Sequence, residues 1–209
     1  MGPTVVLRAA GSRGYAVLSW VVAAVLLVMF FGNGGGREVA EYGAVPLVLA
    51  VLGWAVFWRP AVLVSPAGVR VVNVFRTIEV PWSALEEVET RWGLRLHTTG
   101  GRVRAWATPA RGGMAHRRVE EVPTHLLDLD VAGEFHITGS AEVAGQVIEA
   151  RLAAVRAGNG SNGAAGPTAG APPDQPLETG RVRRRLDVVP IAGVAGSGLL
   201  AVVTARLLG

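Results

Sequence analysis

The 209-residue chain contains no cysteine and no lysine. Without thiols it can form no disulfide, thiolate metal site, cysteine nucleophile or lipidated cysteine. Charge of either sign is scarce, at 17% of residues, where soluble domains carry about 25%. All 20 basic residues are arginine, set against 16 acids, for a net charge of +4. The four histidines, His97, His116, His125 and His136, show no metal-ligand spacing such as HExxH. Ala195-Gly196-Ser197-Gly198 departs from the GxSxG pattern of a nucleophilic serine and lies inside an apolar run. Asp128 and Asp130 have no indicated partner acid or base. The chain therefore reads as a non-enzyme with no cofactor, no metal and no catalytic residue.

What the chain has in quantity is apolar sequence, half of all residues, gathered into runs. Tyr15 to Phe31, Tyr42 to Trp58 and Val188 to Ala205 each contain no charged residue. A helix rising about 1.5 Å per residue needs roughly 17–25 residues to cross the hydrocarbon layer. All three runs reach that length. Aromatics at the ends (Tyr15, Phe30, Phe31, Tyr42, Phe57, Trp58) suit the headgroup level. The first run is too long for a cleaved leader, and a second run follows it. The reading is an uncleaved helical hairpin over 15–58, after a cytoplasmic tail over 1–14. The Gly32–Gly36 stretch is then a flexible turn; it lacks the Lys-Ser/Thr of a phosphate-binding loop.

Arginines near the run ends set the expected orientation. Nine lie on the side of the N-terminal tail and the middle domain, and two on the other. This places the N-terminus and middle domain in the cytoplasm and the C-terminus outside, in a multi-pass plasma-membrane protein. Gly193, Gly196 and Ser197 in the last run are small enough for close helix packing. The hairpin is their first candidate partner, and a homodimer is the alternative. No run carries an ionisable residue, which argues against an ion or proton pathway.

Residues 59–157 change to period-two patterning, which reads as strands. Short strands are expected over 62–65, 69–75 and 77–80. A longer alternating run follows over Val88–Leu96, and a return strand over 103–107 after a turn at Thr98–Gly101. Trp82 and Trp92 are expected in the core, and Trp106 beside Arg104 on an outer face. Further strands are expected over 118–122 and 134–137. Ser140 then opens a helix whose Val143, Val147, Ile148, Leu152 and Val155 form one stripe. Residues 158–187 read as a Gly/Ala/Pro-rich flexible linker ending in a basic membrane-edge segment. The fold class is α+β: two N-terminal membrane helices, a β-barrel or sandwich with a C-terminal helix, a disordered linker and a C-terminal membrane helix.

The segment Ser65–Ala110 also carries a resemblance. Gly68–Asn73, Arg76, Thr77, Val80-Pro81-Trp82, Arg91-Trp92 and Ala105-Trp106-Ala107 resemble the membrane-anchored PH-like domains of actinobacteria, of the low-molecular-weight protein antigen type. The family's Asp-Gly turn is here Gly100-Gly101. The resemblance implies a PH-like barrel or sandwich, and it transfers no binding or catalytic residue.

Arg91–Arg118 holds seven arginines and no acid, and Val119–Glu149 seven acids and no arginine. A basic face tethered to a membrane would feel anionic lipids. Candidate headgroup contacts are Arg91, Arg95, Arg102 and Arg104, together with Arg183, Arg184 and Arg185. The expected function is a non-catalytic interaction module at the cytoplasmic membrane face. Its expected partners are the membrane, anionic lipids or another membrane protein, with docking in an envelope or transport complex as the alternative. Nucleic acid is not an expected partner, because the acidic blocks and the tether oppose it.

Overall fold

A computed structural model describes residues 4–9, 11–108, 134–161 and 180–208. The chain divides into two compact units. One is β-rich, drawn from residues 1–9, 61–73 and 77–185. The other is helical, drawn from residues 10–60, 74–76 and 186–209. The expected strand over 118–122 and half of the charges of the segregated stretch Arg91–Glu149 lie outside the described residues.

The β-rich unit holds a six-stranded sheet in the order β8-β1-β2-β3-β4-β9. These strands are β1 (Thr4–Arg8), β2 (Ala61–Ser65), β3 (Gly68–Val72), β4 (Arg76–Pro81), β8 (Glu134–Thr138) and β9 (Arg183–Leu186). A second sheet holds β5 (Leu85–Glu89), β6 (Arg95–Thr98) and β7 (Gly101–Arg104). Alternation dictates the faces. Register sets Val5, Val64, Val69 and Val80 in one row across the large sheet, and all are buried. The next row, Val6, Leu63, Arg70 and Glu79, lies on the other face, where Arg70 and Glu79 pair at 2.9 Å. Leu96 and Val103 turn the inner face of the small sheet into the same core.

Helix α3 (Ala141–Ser161) closes that core with the expected stripe of Val143, Val147, Ile148 and Leu152. Glu142 stands in its first turn, where the helix dipole favours a negative charge. Trp82 fills the core as expected, its indole N–H donating to the carbonyls of Ser65 and Pro66.

Four expectations need correction. Residues Thr4–Arg8 are not a free tail but a strand between β2 and β8. Arg183–Leu186 is likewise a strand at the sheet edge rather than part of a flexible linker, and α3 runs on to Ser161. The alternating run 88–96 is not one strand. It breaks at Gly93, whose φ of 95° is a left-handed conformation that favours glycine, and β5 and β6 lie on either side. Trp92, carried out on that turn, is exposed and not part of the core.

The helical unit holds α1 (Ser12–Tyr42), α2 (Ala44–Gly53) with a π-type turn over Trp54–Trp58, and α4 (Val188–Leu208). The glycine stretch holds the expected turn: helical geometry breaks at Gly35, where φ is 61° and ψ is −145°, and Phe30 meets Tyr42 across the break with ring centres 5.8 Å apart. Among the described residues, one helix, α1, is long and apolar enough to cross a membrane. Ala44–Trp58 and Val188–Thr204 are shorter apolar helices.

The helices pack through small residues and aromatics. Ser19 donates to the Leu49 carbonyl and the Trp20 indole N–H to the Ala50 carbonyl, both at 3.1 Å. Tyr15 meets Phe57, Trp20 meets Trp58, and Arg13 stacks on Trp58. Arg59, just past α2, pairs at 2.6 Å with Asp187, just before α4. A Cβ on Gly193 would lie 3.2 Å from Val51, so that glycine faces α2 of its own chain, whereas Gly196 opens onto free space.

A Cβ at Gly53 would lie 2.7 Å from the Ser19 Cβ, so this crossing depends on a missing side chain. Gly53→Leu is expected to lower the thermal midpoint in detergent, with a cost of about 1–3 kcal/mol for overpacking. Adding Ser19→Gly should recover part of that loss.

Candidate functional site

The small sheet gathers most of the basic candidates on one face. Glu89 pairs with Arg95 and Arg95 with Arg104; Glu87 pairs with His97 and His97 with Arg102. Cross-strand partners share a face, and so do residues two apart. Glu87, Glu89, Arg95, His97, Arg102 and Arg104 therefore form one polar surface, opposite the buried Leu96 and Val103. A turn at Thr98–Gly101 fixes this register, and the Thr98 hydroxyl bonds the Gly101 carbonyl across it.

Glu89 is the internal counter-charge. Its Oε1 lies 3.5 Å from Arg95 Nη1, and its Oε2 lies 3.4 Å from His97 Nε2. Among the described residues, Arg102 and Arg104 have no ion-pair partner, and both are exposed. Arg95 and Arg104 stand directly opposite, an arrangement that costs free energy unless an anion screens it.

Arg184, on β9, reaches the tip of this hairpin, donating to the Gly100 carbonyl at 3.0 Å. Val182 packs against Gly100. Arg183 is half-buried and Arg185 exposed. They sit one residue to either side of Arg184, so alternation puts them on the opposite face of β9. Arg91 also stands apart, in the β5–β6 turn, with its guanidinium 5.4 Å from the Trp92 ring centre.

Sequence reasoning named Arg95, Arg102 and Arg104 but missed Glu87, Glu89 and His97. The hairpin turn carried the signal, because it sets His97 across from Arg102. Arg151, on α3, was missed as well. It is buried, donates from Nη1 to the Val64 carbonyl at 3.1 Å, and has no partner for Nε or Nη2 among the described residues. Burial lowers its pKa from the ordinary value. No group of three or more metal-ligating side chains occurs among the described residues.

Residues 59–123 match the family model of a bacterial PH domain. The β-rich unit is PH-like. The match covers just under a third of the chain and takes in β2 through β7, leaving β1, β8, α3 and β9 outside. No curated protein and no solved structure matches the chain.

The hydrogen bond with His97 is the largest influence on Glu89 and lowers its carboxyl below the ordinary 4.5; burial opposes this, and Arg95 adds to the lowering. A depressed folded-state pKa stabilises the fold above the unfolded value and loses that effect as pH falls through the folded midpoint. Carboxyl-carbon NMR should show Glu89 titrating below 4.5, with its midpoint rising in His97→Ala. In acid unfolding, Glu89→Gln should flatten this part of the pH slope.

Proposed function

We propose that the chain is an integral membrane protein that holds a non-catalytic PH-like interaction module at the cytoplasmic face. There Arg95, Arg102, Arg104 and Arg184 contact anionic headgroups. One observation carries this reading: three arginines from two strands share one face that holds two acids, with Arg184 at the tip of the same hairpin, in a chain whose helices expose a broad apolar surface. Val17, Leu18, Val21, Val25 and Val28 of α1 all face outward, as do Leu199, Val202 and Val203 of α4. Water would not tolerate so large a contiguous apolar patch on a monomer.

Strand pairing supports the hairpin. β1 precedes α1, β2 follows α2, and the two strands are hydrogen-bonded neighbours. If α1 crosses the bilayer, the chain must cross back before residue 61. Ala44–Trp58 is the only apolar segment available to do so. Gly43 keeps helical dihedrals, so this arm extends back from Ala44 toward the break at Gly35 and is longer than the 15 residues of Ala44–Trp58. The Arg59–Asp187 pair holds the end of α2 to the start of α4. A single crossing by α4 then puts the C-terminus on the opposite side.

Docking in an envelope or transport complex is the second reading. It is favoured by Glu87 and Glu89, which give the same face a mixed charge suited to a protein partner.

Arginine footprinting with phenylglyoxal on the full chain, reconstituted in neutral and anionic vesicles, tests the lipid reading. Arg95, Arg102, Arg104 and Arg184 should be protected in anionic vesicles at low salt and exposed as salt rises. Equal modification in both vesicle types would overturn lipid contact, and protection confined to native membranes would favour docking. Orientation has its own check in this cysteine-free chain. An impermeant maleimide added to intact cells should label Asn33→Cys, whereas Thr99→Cys should react only after permeabilisation. The reverse pattern would invert the topology.

A further inference from the structure

We infer that Trp92 and Trp106 form an interfacial anchor that seats the β-rich unit on a lipid surface, with Arg91 and Arg104 at the phosphate level. This rests on the membrane-embedded reading above and extends it from the arginine surface, which includes Arg104, to Trp92, Trp106 and Arg91.

The two indoles stand apart from everything else in their unit. Among the described residues, every other exposed large apolar side chain belongs to the helical unit. Among the described residues of the two sheets, Leu186 at the end of β9 and Phe75 before β4 are exposed where the chain enters the helical unit, and the small sheet carries Trp92, at 60% exposure, and Trp106, at 58%. An exposed tryptophan is a large apolar surface left in water, and two in one small unit need a reason.

Both lie at the same end of the small sheet. Trp92 sits in the β5–β6 turn, and Trp106 just past β7. The Leu94 carbonyl accepts from the Ala105 N–H at 2.9 Å, and the Leu94 N–H donates to the Thr108 carbonyl at 3.2 Å. This ladder sets residues 92–94 alongside 105–108. The backbone that presents the indoles is also held in place. The Asn73 side chain donates to the Arg104 carbonyl and accepts from the Trp106 N–H, each at 2.8 Å. The Gly93 N–H closes the other turn onto the Thr90 carbonyl at 3.3 Å. Ala105 and Ala107, on either side of Trp106, are buried, so alternation turns the indole outward.

The chemistry suits a bilayer interface. Indole rings favour the headgroup layer, where one edge is apolar and the N–H stays hydrated. Arg91 stacks on Trp92, and Arg104 lies two residues from Trp106, so each ring has a cation beside it to meet a lipid phosphate. The tether brings a lipid surface within reach. Arg59 and Pro60 alone separate the π-type turn from β2, and Asp187 alone separates β9 from α4.

The test uses the full chain reconstituted in phosphatidylcholine–phosphatidylglycerol vesicles, with lipids brominated near the headgroup as a membrane quencher and iodide as an aqueous one. Trp92→Phe and Trp106→Phe are each subtracted from wild type to isolate the emission of a single indole. Circular dichroism checks that each variant folds. Both difference signals should be blue-shifted, lose most of their intensity to brominated lipid and resist iodide. Quenching by iodide without quenching by brominated lipid would overturn the anchor. Resistance to both would also overturn it, because a protein surface would then cover the indoles. Alkaline carbonate extraction of the same vesicles separates this failure from that of the membrane reading. A chain that stays with the lipid while its difference signals follow iodide loses the anchor alone. A chain that washes off loses the membrane reading.

Discussion

The pairing of β1 with β2 is the constraint on which the rest depends. These strands are joined by the whole of α1 and α2, yet they sit in register with Val5 beside Val64 and Leu7 beside Val62. Val5 and Leu7 are fully buried, worth about 1.5–3 kcal/mol each in apolar burial. β1 also supplies the edge on which β8 pairs in parallel, immediately before α3. Removing β1 would strip a central strand from the large sheet and leave β8 without its neighbour. Such a long-range pairing forms late, after loop closure has been met by other contacts. The helical hairpin must fold back on itself before the β-rich unit can complete its sheet.

On the arginine surface, modest electrostatic effects compete. Glu89 is shared by Arg95 and His97 at distances near the limit of an ion pair. Exposed pairs of this kind contribute little to stability. An anionic membrane offers about 1 kcal/mol per arginine near the surface. The two are close enough in size that a phosphate can draw Arg95 away from Glu89. Arg102 and Arg104 have no described carboxylate to leave. The surface is thus neither locked by internal salt bridges nor uniformly basic, which suits reversible contact better than permanent burial.

Much of this was legible in the sequence, because alternation and helical spacing are local signals. β2, β3, β4, the β6–β7 turn and the stripe of α3 all followed from the order of valines, leucines and polar residues. The arginine surface followed in part, since Arg95, Arg102 and Arg104 flank a recognisable turn. The misses share a cause: their structure is fixed by distant partners. Thr4–Arg8 is too short to announce a strand, and the charge of Arg183–Leu186 looks like a membrane stop until β4 is seen beside it. Trp92 fell on a beat of a continuous alternation, and only the left-handed turn at Gly93 takes it out of the core. Glu89 and His97 become partners only when β5 and β6 pair.

Arg151 shows how far packing can override a local preference. Its place on the inner face of α3 would suit an aliphatic residue, and the pattern around it, Val147, Ile148 and Leu152, is apolar. A buried guanidinium with two nitrogens lacking described partners is unfavourable, since polar groups left unpaired cost about 1–3 kcal/mol each. Two features work against that cost. The three-carbon stem packs as an apolar side chain, and Nη1 makes a charge-assisted bond to the Val64 carbonyl. Val64 belongs to β2, the strand that registers against β1. Arg151 therefore joins the closing helix to the pairing on which the whole architecture turns, by a directional contact that leucine could not make. A leucine there would lower the desolvation cost but leave α3 held to β2 by shape alone.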